Sequence, residues 1–149
     1  MSTEIFQDLI LHLHKHPKNE LQEIPTNHLS KKCTNPLCGD EVTIIAQPED
    51  ISHGQIGQLH FIAEGCAISR ASAEHLTAEL SHQSTADALA AINQFLSDLK
   101  SPHAVSEDIS NRNALLSIRR FPARTECAAL AWKTLQELLN QSTTQNPPT

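Results

Sequence analysis

Tyrosine is absent from this 149-residue chain, and the aromatic complement is one tryptophan and four phenylalanines. A core with so few rings has to be assembled from leucine, isoleucine, valine and alanine. Basic charge is also scarce, with 11 Lys and Arg against 17 Asp and Glu, a net charge of −6 and a pI near 5.8. Nucleic-acid and anionic-membrane surfaces require basic patches, so neither partner is expected. No apolar run approaches the roughly 20 residues of a membrane span. Residues 1–8 contain acidic side chains and no basic n-region, unlike a signal peptide. Only four cysteines are present, none in a CxxC pair. Without an export signal they are expected to be reduced, in the cytoplasm.

The hydrophobic pattern supplies the elements. Phe6, Leu9, Ile10 and Leu13 recur at i, i+3, i+4 and i+7, which predicts an amphipathic helix ending near Pro17. A strand is expected over Asn27 to Cys33. Val42, Ile44 and Ala46 alternate with Thr43 and Ile45, and Leu59, Phe61 and Ala63 with His60, Ile62 and Glu64. Both runs read as strands, joined through a turn-rich stretch from Pro48 to Gly57. Connections this short cannot carry a parallel crossover, so the sheet should be antiparallel, with about three strands.

From Ala67 the periodicity becomes helical. One helix is expected to about Leu80. A second, capped by Ser84 with Asp87 in its first turn, should bury Ala88, Ile92, Phe95, Leu96 and Leu99 and end near Pro102. Ser101 to Arg120 reads as polar and irregular, with one turn around Ala114 to Ile118. A last helix should run from Pro122 to Leu139, facing Ala128, Ala131, Leu135, Leu138 and Leu139 inward. No internal repeat is present. Strands followed by helices indicate an α+β fold, a short antiparallel sheet packed against several helices. It is expected to form a single domain over residues 1–140, with a disordered polar tail over 141–149.

Three cysteines stand in distinctive local settings: Cys38 in Asn35-Pro-Leu-Cys-Gly-Asp40, Cys66 in Gly65-Cys-Ala-Ile-Ser69, and Cys127 at the end of the segment beginning Phe121-Pro-Ala-Arg124. Thiolates are soft ligands and strong nucleophiles, so a cluster of three points to metals, iron–sulfur clusters or sulfur transfer. Asp40 adds one hard oxygen. A closed structural zinc site more often has four Cys or His ligands, so an oxygen among three sulfurs suggests exchange. Cys66 falls at a strand-to-helix junction and Cys127 in the first turns of the last helix, where the helix dipole favours thiolate. Arg124, three residues before Cys127, would share its helix face. The bland alternative is that these cysteines are small buried hydrophobes.

These segments, together with residues 13–19, resemble the SufU/IscU (NifU N-terminal-like) iron–sulfur cluster assembly proteins over Ile5 to Leu139, the SufU branch most closely. The resemblance implies a SufE/IscU-like fold. It implies that Cys38, Asp40, Cys66 and Cys127 bind zinc, that Cys38 accepts persulfide sulfur from a SufS-like cysteine desulfurase, and that downstream cluster-assembly proteins follow. On the scaffold alternative the same residues hold iron in a transient [2Fe–2S] cluster. Arg124 would pair with Asp40 or a sulfur beside the ligands. The stretch from Ser101 to Arg120 resembles the SufU insertion. IscU proteins place a histidine before the last cysteine within a chaperone-recognition segment; here Glu126 stands there, so neither that ligand nor that contact is carried over. SufU-like proteins carry lysine at this position, and Glu126 would make the site more negative.

Other candidates have simpler readings. Cys33 reads as a packed strand cysteine, with a resolving thiol or extra ligand as the alternative. His12 and His16, one turn apart, lack a third ligand in sequence. His14 replaces a family tyrosine. Ser69 and Ser72 can line the site or simply pack, and Trp132 reads as core or partner surface.

Overall fold

The computed structural model describes residues 2–101, 103 and 106–145. Its elements follow in the order α1 (Ser2–Lys15), β1 (Leu29–Asn35), β2 (Asp40–Ala46), α2 (Pro48–Ser52), β3 (His60–Glu64), α3 (Ala67–Leu80), α4 (Thr85–Lys100), α5 (Asn111–Leu116), a 3₁₀ turn (Ser117–Arg120) and α6 (Pro122–Gln145). The strands form one antiparallel sheet in the order β1-β2-β3. This is the α+β arrangement expected from the sequence.

Register follows from the alternation. Cys33 pairs with Val42 and Val42 with Ala63; Lys31 pairs with Ile44 and Ile44 with Phe61. Directly paired residues share a sheet face, so one face gathers Val42, Ile44, Phe61 and Ala63 into the core. Ile45, on the opposite face of this central strand, is also fully buried. β1 begins two residues later than expected because Asn27 adopts a left-handed φ of 61°, incompatible with an extended strand. At its other end it reaches Asn35, which pairs with Asp40.

The helices lie against the sheet and one another. α6 packs on β1, β2, α3 and α4, and α1 packs on α3 and α5. Phe6, Ile10 and Leu13 are buried on α1, as their spacing requires. α3 occupies the expected Ala67–Leu80, and the Ser84 hydroxyl caps α4 by accepting the Asp87 amide at 3.1 Å. Trp132 of α6 stacks on Phe95 of α4 with centroids 4.0 Å apart.

Three expectations are corrected. Pro48 at a helix N1/N2 position starts the short helix α2 inside the stretch read as turns. The segment read as irregular contains α5, capped by Ser110 and buried through Ala114, Leu115 and Leu116, before the 3₁₀ turn. α6 continues past Leu139 to Gln145, so the first part of the expected tail is helical. Residues 141–145 include no glycine or proline to stop it. Residues 146–149 lie outside the described residues. Among the described residues no helix is long and apolar enough to cross a membrane.

Residues 18–20 are fixed against the sheet and α3. The Phe61 amide donates to Asn19, and the amides of Lys18 and Asn19 donate to the buried Glu74 carboxylate, both at 2.9 Å. Arg70 makes a two-pronged ion pair with Glu20 at 2.7 and 2.8 Å and donates to His14 Nδ1 at 3.1 Å. His14 thus serves as an acceptor joining α1 to α3.

Candidate metal centre

The β1–β2 hairpin, the start of α3 and the start of α6 meet at one end of the sheet. Asn35 opens the hairpin turn: its Oδ1 accepts the Leu37 amide at 3.1 Å, and its carbonyl accepts the amides of Cys38 and Gly39. This side-chain turn presents Cys38 outward, where it is exposed. Asp40, the first residue of β2, points inward and is buried. Cys66 is the N-cap residue of α3 and half-buried, while Cys127, on α6, is fully buried.

Cys38 Sγ, Cys127 Sγ and an Asp40 oxygen lie within 4.8 Å of one another, with the two sulfurs 3.6 Å apart. Cys66 joins through Asp40: its amide donates to Oδ1 at 3.0 Å and its thiol to Oδ2 at 3.1 Å. The Ser69 hydroxyl donates to the same Oδ2 at 2.6 Å. A Cβ on Gly65 would collide with the Asp40 carboxylate, so the absent side chain leaves room for it.

Burial alone would push the Asp40 carboxyl up. Hydrogen bonds from Ser69, Cys38, the Cys66 thiol and the Cys66 amide outweigh it and hold the group well below the ordinary carboxylate range. Among the described residues no Lys, Arg or His forms an ion pair with Asp40. It is a buried anion satisfied by neutral donors. Cys127 shows the reverse. Burial raises its thiol far above the ordinary value, and Cys38, Cys66 and Asp40 add to the shift. The helix dipole expected to make this thiolate accessible is overridden by desolvation. Two sulfurs and one carboxylate oxygen converge, with the Cys66 sulfur against the same carboxylate, and donors of these types suit a soft or borderline dication, which deprotonates the thiols that bind it.

Several sequence candidates stand apart. Arg124 is exposed, and its guanidinium has no hydrogen bond or ion pair among the described residues. Glu126 is exposed and pairs with Lys133 at 2.8 Å, which offsets its charge. Cys33 is on the core-facing side of β1, where its thiol donates to Glu137 at 3.1 Å, and burial raises its pKa. The His12 and His16 rings lie 4.8 Å apart and no group of three metal-binding side chains includes them among the described residues. Ser69 belongs to the site; Ser72 joins α3 to α6 by donating to the Ala128 carbonyl at 2.6 Å. Asn35 was not singled out by sequence, yet its Nδ2 approaches Cys127 Sγ at 3.7 Å. Nothing in the local sequence marks a contact 92 positions away.

The family model described as the NifU-like N-terminal domain matches residues 5–141. The zinc-dependent sulfurtransferase SufU of Bacillus subtilis is 28% identical over 136 residues, covering 89% of this chain and 88% of that protein. The iron–sulfur cluster assembly scaffold protein IscU of Thermotoga maritima is 30% identical over 107 residues, covering 72% and 73%. A crystal structure from Fervidobacterium islandicum, of a protein described as an assembly scaffold for the SUF system, superposes with a TM-score of 0.74 at 23% identity, covering 93% of this chain and 99% of that one. With its fold, its converging cysteines and Asp40, and a family match across almost its whole length, this chain belongs to the NifU-like N-terminal domain family.

Proposed function

We propose that this protein is a zinc-binding sulfur acceptor that works with a cysteine desulfurase in iron–sulfur cluster assembly, with Cys38 as the receiving thiol. Cys38, Asp40, Cys66 and Cys127 would hold the ion. The observation that carries the assignment is the asymmetry of accessibility: Cys38 is exposed on a hairpin turn, whereas Cys127 and Asp40 are buried and Cys66 is half-buried. A donor protein can reach Cys38 without opening the fold.

Zinc would keep the sulfurs ionised and protected until a ligand is exchanged. In the transfer step the Cys38 thiolate attacks the outer sulfur of the donor persulfide. The donor S–S bond breaks, the donor cysteine leaves as a thiolate, and a persulfide forms on Cys38. Asn35 and the hairpin turn present Cys38, and burial withholds Cys127 from the same attack.

A second reading, a scaffold that assembles a [2Fe–2S] cluster on these residues for transfer to other proteins, is favoured by the sulfur-rich donor set, which suits iron–sulfur clusters as well as zinc. Native mass spectrometry of the protein as purified separates them. One zinc per chain, followed by a one-sulfur mass increase on the Cys38 peptide after incubation with desulfurase and cysteine, is the expected result. Bound iron and sulfide would establish the scaffold role instead, and sulfur acceptance by Cys38→Ser at the wild-type rate would overturn the assignment of Cys38.

A further inference from the structure

We propose that Ser69 is a positioning residue that keeps Asp40 among the metal ligands while Cys38 is exchanged. The inference rests on the zinc-binding reading above. Ser69 lies in the first turn of α3, three residues after Cys66, with no exposed surface. Its hydroxyl touches three of the four candidate ligands: it donates to Asp40 Oδ2 at 2.6 Å, lies 3.7 Å from Cys66 Sγ, and lies 3.4 Å from the Cys127 carbonyl. A hydroxyl has one proton, and the short Asp40 contact claims it.

Each Asp40 oxygen is held separately. Oδ2 accepts a short hydrogen bond from the Ser69 hydroxyl at 2.6 Å and a longer one from the Cys66 thiol at 3.1 Å. A thiol is a weak donor, and the Cys66 sulfur is itself a candidate ligand. The Ser69 hydroxyl is therefore the strong side-chain donor on Oδ2 that does not belong to a candidate ligand, while the Cys66 amide holds Oδ1. A carboxylate is the weakest partner for a borderline-soft ion among three thiolates. Once Cys38 departs, Asp40 is therefore the ligand whose loss would follow, and pinning it from both oxygens preserves a three-ligand platform.

Ser72 provides an internal control. It is one turn further along α3, equally buried, and it also joins α3 to α6, donating to the Ala128 carbonyl at 2.6 Å and accepting the Trp132 indole N–H at 3.0 Å. It makes no hydrogen bond to any candidate ligand.

The test uses the full chain as wild type, Ser69→Ala and Ser72→Ala, each loaded with zinc or cobalt. Alanine fits the space of serine and favours helix, and Ser72→Ala, which also takes the acceptor from the buried Trp132 N–H, carries the larger structural cost of the two, so a general loosening of the fold would show there first. The readouts are the rate of zinc release to excess chromogenic chelator and the visible spectrum of the cobalt form. Ser69→Ala is expected to release zinc at least about tenfold faster, the lower end of the effect of removing a group that orients a metal ligand. It should also shift the cobalt bands, whereas Ser72→Ala should match wild type in both. Zinc release and spectra unchanged in Ser69→Ala, or equal acceleration in Ser72→Ala, would overturn the role of Ser69 alone. A wild-type chain that takes up neither metal would overturn the zinc-binding reading and this inference together.

Discussion

Replacing Gly65 with alanine should damage both the fold and the site. Gly65 has a φ of +136°, in a region L-residues rarely adopt, and a non-glycine residue there carries about 1–3 kcal/mol of backbone strain. The added methyl would also collide with the Asp40 carboxylate and lie 3.0 Å from the Asp40 Cα. The carboxylate cannot swing aside without breaking its bonds to the Cys66 amide and the Ser69 hydroxyl, so a further 1–3 kcal/mol, roughly the range for overpacked cores, is expected. Gly54 supplies the comparison: its φ is +78°, but a Cβ there meets nothing within 4 Å, so Gly54→Ala should lose only the left-handed backbone term of about 1–2 kcal/mol. Urea denaturation of the two variants and wild type, all metal-free, measures both terms. Gly65→Ala should unfold at clearly lower urea than Gly54→Ala, and should bind less than one zinc per chain. Coincident midpoints with full zinc binding by Gly65→Ala would refute the claim that this glycine makes room for Asp40.

Three other outcomes are expected. Cys38→Ser should abolish persulfide formation yet change stability by no more than about 0.5 kcal/mol, since the side chain is exposed; a large fall in metal-free melting temperature would contradict its placement. Ser84→Ala removes the cap on α4 and should lower stability by about 1 kcal/mol, observed as a melting point a few degrees lower. Burial lowers the His75 pKa below its ordinary 6.5, with Arg112 lowering it further and Glu79 opposing. The unfolded chain therefore binds the proton more readily than the folded one, and the His75 contribution, fully present above about pH 6.5, is lost as pH falls towards the folded pKa. His75→Leu should flatten the decline in metal-free stability between neutral and mildly acidic pH, and parallel curves for the two proteins would rule this out.

Elements set by local pattern were legible in the sequence. The alternation of Val42, Ile44 and Ala46 placed a strand, and Ser84 with Asp87 announced the start of α4. The elements missed depend on tertiary support or on one conformational detail. α5 is short and follows a polar stretch, and it becomes helical because Ala114, Leu115 and Leu116 have a core to enter. β1 begins late because of the backbone at Asn27. At the candidate site, the local motifs singled out the cysteines and Asp40, but the connections among them are long-range. Ser69 reaches Asp40 across 29 positions and Asn35 reaches Cys127 across 92. The helix-start position of Cys127 suggested a lowered pKa, and only the packed structure reveals the desolvation that raises it.

The pairing of Trp132 with Ser72 has an optical consequence. With no tyrosine in the chain, near-ultraviolet absorption and emission come almost wholly from this one indole. Its N–H ends on the Ser72 hydroxyl, which in turn grips α6 one residue beyond Cys127. Any shift of that helix should register in the colour and intensity of a single fluorophore. Weak background absorption from so few aromatic rings would leave bands from sulfur–metal charge transfer open to view. The protein carries its own dye at the seam behind the candidate metal centre.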